Sequence, residues 1–290
     1  MKTRLFIFIA ALLLLPPAGF WLGGHEWGEL AAQETRAPHD PVALTLLVLL
    51  GYTLLTGLLV KLRTGNNPLV MQRGYYLAMS ATGAVTGWLL VYLSRFGTDW
   101  ATTSGGLLPM LCDTLLFALL APAVLGTRAL IGSFPRLLKA LARGLPLPSP
   151  ANETAALTLT AIAAFGLLGG AALPAQQYWL LWTAPLLLLF ALQLLWHEGT
   201  LFHGLKNGNW GRPVCAALAG LIVGNLAILI YQAAGGVPKP QLLAQSGYIL
   251  FGLLSLQLGD VVAEHWRGTQ RHAPIKPKKK FPIPVVVKKS

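Results

Sequence analysis

The sequence predicts an all-α integral membrane protein: eight transmembrane helices in two groups of four, with both termini on the cytoplasmic side. Three observations carry this expectation. Of 290 residues, 54% are hydrophobic and only 11% charged, with a mean hydropathy of +0.60, whereas a soluble globular domain charges about a quarter of its residues. Runs free of Asp, Glu, Lys and Arg recur at roughly the 20-residue length that a helix needs to cross a hydrocarbon core of about 30 Å. The 22 Lys and Arg fall almost entirely between those runs. The formal net charge of +12 is therefore read as membrane topology, and no nucleic-acid partner is expected.

The first span is the apolar run 5–24. A secretory signal is the alternative, since Lys2 and Arg4 precede the run and Pro16, Pro17, Ala18 and Gly19 form a loose processing region. The run is longer than the roughly 7 to 15 residues of a signal core and has no clear A-x-A site, so a retained helix is expected. Runs 41–60 and 74–94 give the second and third spans, and 100–127 gives the fourth, with Asp113 as its one charge. These four spans, with an outside loop at 25–40, form an N-terminal unit over residues 1–126.

The loop 127–153 is expected to hold a short amphipathic helix. Ser133 is placed to cap it and Pro135 to fill its first turn; Phe134, Leu137, Leu138, Leu141 and Leu145 share one face, and Arg136, Lys139 and Arg143 another. Such a helix lies in the inner leaflet with its basic face toward anionic lipid headgroups. A solvated basic linker is the alternative. The charge-free run 154–197 is long enough for the fifth and sixth spans, with the break at Pro174-Ala-Gln-Gln-Tyr178 between them. Runs 213–238 and 240–259 supply the seventh and eighth, closing a second unit over 154–264. The tail 265–290 is basic and then proline-spaced, which favours an extended chain.

Orientation follows from the basic residues. With the N-terminus inside, 19 Lys and Arg lie inside and only Arg36, Arg95 and Lys239 outside, a bias that places both termini in the cytoplasm of a bacterial-type inner membrane. Cys112 and Cys215, the only cysteines, make no disulfide framework.

Two constellations are candidate sites. Asp113 is a charge inside a span, where ionisable groups are costly. Counted from the outer helix ends, Tyr52, Thr86, Asn225 and Tyr248 share its depth and are the expected partners of an intramembrane polar cluster. At the cytoplasmic ends of the sixth and eighth spans stand His197, Glu198 and His203, and Asp260, Glu264 and His265. Gln257, Asp260 and Glu264 form one stripe of the eighth span, and Gln193 and His197 one of the sixth. Should the two spans touch, this set suits a divalent metal or an acid–base pair; otherwise the acids pair with Lys206, Arg212 and Arg267. No histidine lies near mid-membrane, so a bis-histidine haem is not expected.

Three functions fit. The favoured one is a non-catalytic integral subunit or an assembly or anchoring factor, which implies a protein partner in the membrane or at its cytoplasmic face. A proton-coupled transporter using Asp113 is the second, with glycines of the third, fifth and seventh spans allowing close packing. A lipid-acting enzyme of the inner leaflet using His197, Asp260 and Glu264 is the third.

Overall fold

A computed structural model describes residues 41–94, 107–147, 152–196, 200–234 and 242–267. The first span, the 25–40 loop and the tail beyond Arg267 lie outside them. Nine α-helices follow one another in the described residues: α1 (Pro41–Thr64), α2 (Pro68–Met71), α3 (Arg73–Ser94), α4 (Leu107–Gly132), α5 (Pro135–Leu141), α6 (Asn152–Ala172), α7 (Pro174–Leu195), α8 (Gly211–Ala233) and α9 (Leu242–Arg267). A 3₁₀ turn, His203–Asn207, precedes α8. Five of these helices, α1, α3, α4, α6 and α8, are long and apolar enough to cross a membrane. The chain is thus a multi-pass membrane protein in contact with lipid.

Two of the expected spans depart from that standard for separate reasons. In α7 the backbone leaves the helical region at Gln177 (φ −118°, ψ 16°), inside the predicted break, and the apolar helix beyond it runs only from Trp179 to Leu195. The charge-free run of the eighth span ends at 259, but α9 extends beyond it to Arg267 and carries Gln245, Gln257 and Asp260 along its length. Polar side chains on a helix among apolar ones call for partners, and α9 finds them by packing against α8, α3, α7 and α4. Its residues Leu254 to Val261 are all buried.

Antiparallel pairs build the fold. Glycines four apart let each first helix approach its successor closely. On α3, a Cβ at Gly83 or Gly87 would run into the Phe117 and Ala121 positions of α4; on α6, Gly166 and Gly170 sit against Leu180 and Leu181 of α7; on α8, Gly220 and Gly224 sit against Tyr248 and Gly252 of α9. Without a hydrophobic force between helices in lipid, such small-residue faces bring backbones within dispersion range. These are the glycines of the third, fifth and seventh spans. Around the pairs, α1 packs on α4 and α8, and α6 joins the bundle through α7. The core is filled by Leu49, Met79, Val124, Leu201, Val223 and Leu256.

One end of the bundle is braced outside the helices. The loop helix α5 forms where expected, with Pro135 at its start, but Phe134 and not Ser133 occupies its N-cap. The Ser133 hydroxyl instead donates to the Leu130 carbonyl at 2.7 Å, satisfying one of the open carbonyls at the end of α4. Beyond α5 the chain is exposed but tied by hydrogen bonds to the 205–210 turn. Gly144 N–H donates to Gly208 O at 3.0 Å, Leu147 N–H to Leu205 O at 3.0 Å, and Trp210 N–H to Leu141 O at 2.9 Å, while the Trp210 indole donates to Leu145 O at 2.9 Å. Gly208 makes this apposition possible: its φ of +73° is left-handed, and a Cβ there would strike the Gly144 carbonyl.

Candidate functional site

The braced end holds an ion pair. Asp260, on α9, is 4% exposed, which makes its carboxylate dependent on protein donors. Two meet it. The Tyr75 hydroxyl of α3 donates to Oδ1 at 2.5 Å, and Nη2 of Arg212, in the first turn of α8, lies 3.4 Å from Oδ2. Arg212 also donates from Nη1 to the Thr200 carbonyl at 3.5 Å. One turn earlier on the same face of α9, Gln257 Nε2 donates to Gln193 Oε1 of α7 at 2.6 Å, with both side chains buried. α7 and α9 therefore touch through Gln193 and Gln257. Gln257 Oε1 is itself buried with no hydrogen-bond partner among the described residues.

Outward from Asp260, Arg212 reaches a cavity of about 420 Å³ between α4, α5 and α8, lined by Arg128, Lys139 and Arg212 together with Gly132, Asn209 and Cys215. Arg212 so connects a buried carboxylate to an open, basic recess. Arg63 completes the outer rim of this end by stacking on the Phe134 ring, 3.9 Å from its centroid.

The acid and histidine set is only partly on view. His197 and Glu198 lie outside the described residues, as do the side chains of His203, Glu264 and His265. No group of three His, Cys, Asp or Glu side chains placed to hold a metal occurs among the described residues. Asp260, a member of the set, meets the Tyr75 phenol and the Arg212 guanidinium.

Of the residues expected around Asp113, Tyr52 and Asn225 bond to other side chains. Thr127 donates to the Ala123 carbonyl, so Tyr52 is the donor in the 2.8 Å bond between Tyr52 Oη and Thr127 Oγ1. Thr127 stands fourteen residues along α4 from Asp113, roughly 21 Å at the helical rise. Asn225 pairs with Gln245 in a two-bond amide ring, each bond 2.8 Å. Tyr248 packs over Gly220 and Gly224, and the buried Thr86 hydroxyl has no partner among the described residues. Asp113 is half-buried on α4, next to Thr114, whose hydroxyl accepts from the Trp88 indole at 3.0 Å.

The chain matches no protein-family model, no curated protein and no solved structure.

Proposed function

We propose that the protein is a non-catalytic integral membrane subunit or anchoring factor, with eight spans, both termini in the cytoplasm of a bacterial-type inner membrane, and its basic end presented to a protein partner and to anionic headgroups there. The observation that supports this best is how polar side chains are used. Asp260 with Tyr75 and Arg212, Gln193 with Gln257, Asn225 with Gln245, and Tyr52 with Thr127 each tie one helix to another. In lipid this is the work of interhelical glue. A catalytic or transport site needs polar groups aimed at a substrate, and these are aimed at each other.

The experiment is purification from native membranes in mild detergent, paired with deletion of the gene. One partner at near-equal stoichiometry, released from the membrane by the deletion, is the expected result. A homogeneous protein that moves protons after reconstitution overturns it.

Asp113 supports the second reading, a proton-coupled carrier, because it is an ionisable side chain on a membrane-crossing helix. That reading expects Asp113→Asn to fold normally and to lose proton flux in proteoliposomes. Unchanged folding without any flux in either protein leaves Asp113 as glue.

A further inference from the structure

We propose that the basic cavity between α4, α5 and α8 binds a phosphate-bearing anion, through Arg128, Lys139 and Arg212. Three independent elements deliver these cations to one recess of about 420 Å³: the end of α4, the loop helix α5 and the first turn of α8. Among the described residues no acidic one lines it. Asp260 answers Arg212 from behind, whereas neither Arg128 nor Lys139 has an ion-pair partner among the described residues. Arg128 and Lys139 line the same recess as Arg212, and cations gathered around one space repel each other, a repulsion that an anion between them removes. Arginine and lysine together suit a phosphate: a fork that meets two oxygens, and a point charge for a third.

The recess is held open by construction. Gly132, Gly211 and Ala142 put small residues in its wall, and a Cβ on Gly132 would meet nothing within 4 Å. The backbone bonds between 141–147 and 205–210 fix α5 over α8, so Lys139 is carried by a braced element. Leu138 supplies an apolar side to the same space. A phospholipid headgroup and a soluble phosphate share the chemistry required. The proposal rests on the charges in the cavity and not on the anchoring role or on the side of the membrane that this end faces.

The test uses the full chain, delipidated in neutral detergent, with thermal stability and native mass spectrometry as readouts. Short-chain phosphatidylglycerol, short-chain phosphatidylcholine and inorganic phosphate are the probes. Saturable binding of phosphatidylglycerol that inorganic phosphate does not displace assigns a lipid headgroup. Saturable binding of inorganic phosphate that displaces phosphatidylglycerol assigns a soluble anion. Arg128→Gln and Lys139→Gln should each weaken binding about tenfold, the worth of a charged hydrogen bond. Gly132→Glu, which places a carboxylate where the wall is open, should abolish binding without unfolding the protein. Lys61→Gln with Arg73→Gln, basic residues of the same end outside the cavity, should leave affinity unchanged. Absence of saturable binding by every probe overturns the proposal, as does an equal loss in the Lys61 and Arg73 variant or full affinity in a folded Gly132→Glu protein.

Discussion

At the scale of single residues, Asp260 shows how burial decides what an ion pair is worth. Exposed pairs contribute about 0 to 1 kcal/mol, but Asp260 is 4% exposed, and removing one partner of a buried pair leaves an uncompensated charge. Arg212→Gln should therefore cost about 3 kcal/mol, and Tyr75→Phe about 1.5 to 3 kcal/mol because a hydrogen bond to a charged group is lost. The double variant Arg212→Gln with Asp260→Asn should recover much of the first loss, measured by unfolding in mixed micelles; strict additivity would show that the pair has no coupling. Asp260 and Gln257 were legible in the sequence as one stripe of a helix. Tyr75 was not, because it stands 185 residues away and only the packing of α3 on α9 brings it there. The level of Tyr52 was not legible either, for a related reason. Counting from helix ends assumes that the ends share a plane, whereas Tyr52 is level with Thr127 and Arg63 with Phe134, so α1 reaches past the end of α4.

At the scale of elements, the paired helices depend on glycines whose spacing was open to inspection and whose partners were not. Gly83, Gly87, Gly166, Gly170, Gly220 and Gly224 are three repeats of one spacing, a signal of hairpin construction that apolar periodicity alone does not carry. The same substitution should act oppositely at two helical glycines. Gly220→Ala drives a methyl into the backbone of Tyr248 and Gly252 and should cost about 1 to 3 kcal/mol through overpacking. Gly51→Ala meets nothing within 4 Å and should be neutral or stabilise by up to about 1 kcal/mol, since alanine is the better helix former. Thermal melts of both variants in one detergent check the contrast, and equal effects would mean that helix propensity, not close approach, governs. Gly208→Ala belongs to the same scale. With φ at +73° and the Gly144 carbonyl in the way, it should detach the 141–147 segment, seen as faster amide exchange at Gly144 and Leu147 with α8 and α9 protected as before.

At the scale of the whole molecule, hydropathy and charge made the membrane class readable, because lipid imposes the same requirement on every span. They did not reveal the bracing between 141–147 and 205–210, which joins two loops through backbone atoms that no side-chain pattern encodes. That bracing has a consequence for orientation. Arg63 on Phe134, Tyr75 and Arg212 on Asp260, and Trp210 on Leu141 and Leu145 gather the ends of α1, α3, α4, α8 and α9 into one basic face. These segments cannot lie on different sides of a membrane, so the charge bias acts on the face as a unit. With 19 of 22 basic residues assigned to that side, the face is predicted to be cytoplasmic. Single cysteines at Ala32 and Ser149, in a protein whose Cys112 and Cys215 have been replaced, distinguish the two orientations. A membrane-impermeant maleimide added to intact cells should label Ala32→Cys, and Ser149→Cys only after the membrane is opened. Labelling of Ser149→Cys from outside would invert the molecule, and it would place the cavity lined by Arg128, Lys139 and Arg212 on the opposite surface while leaving its anion chemistry intact.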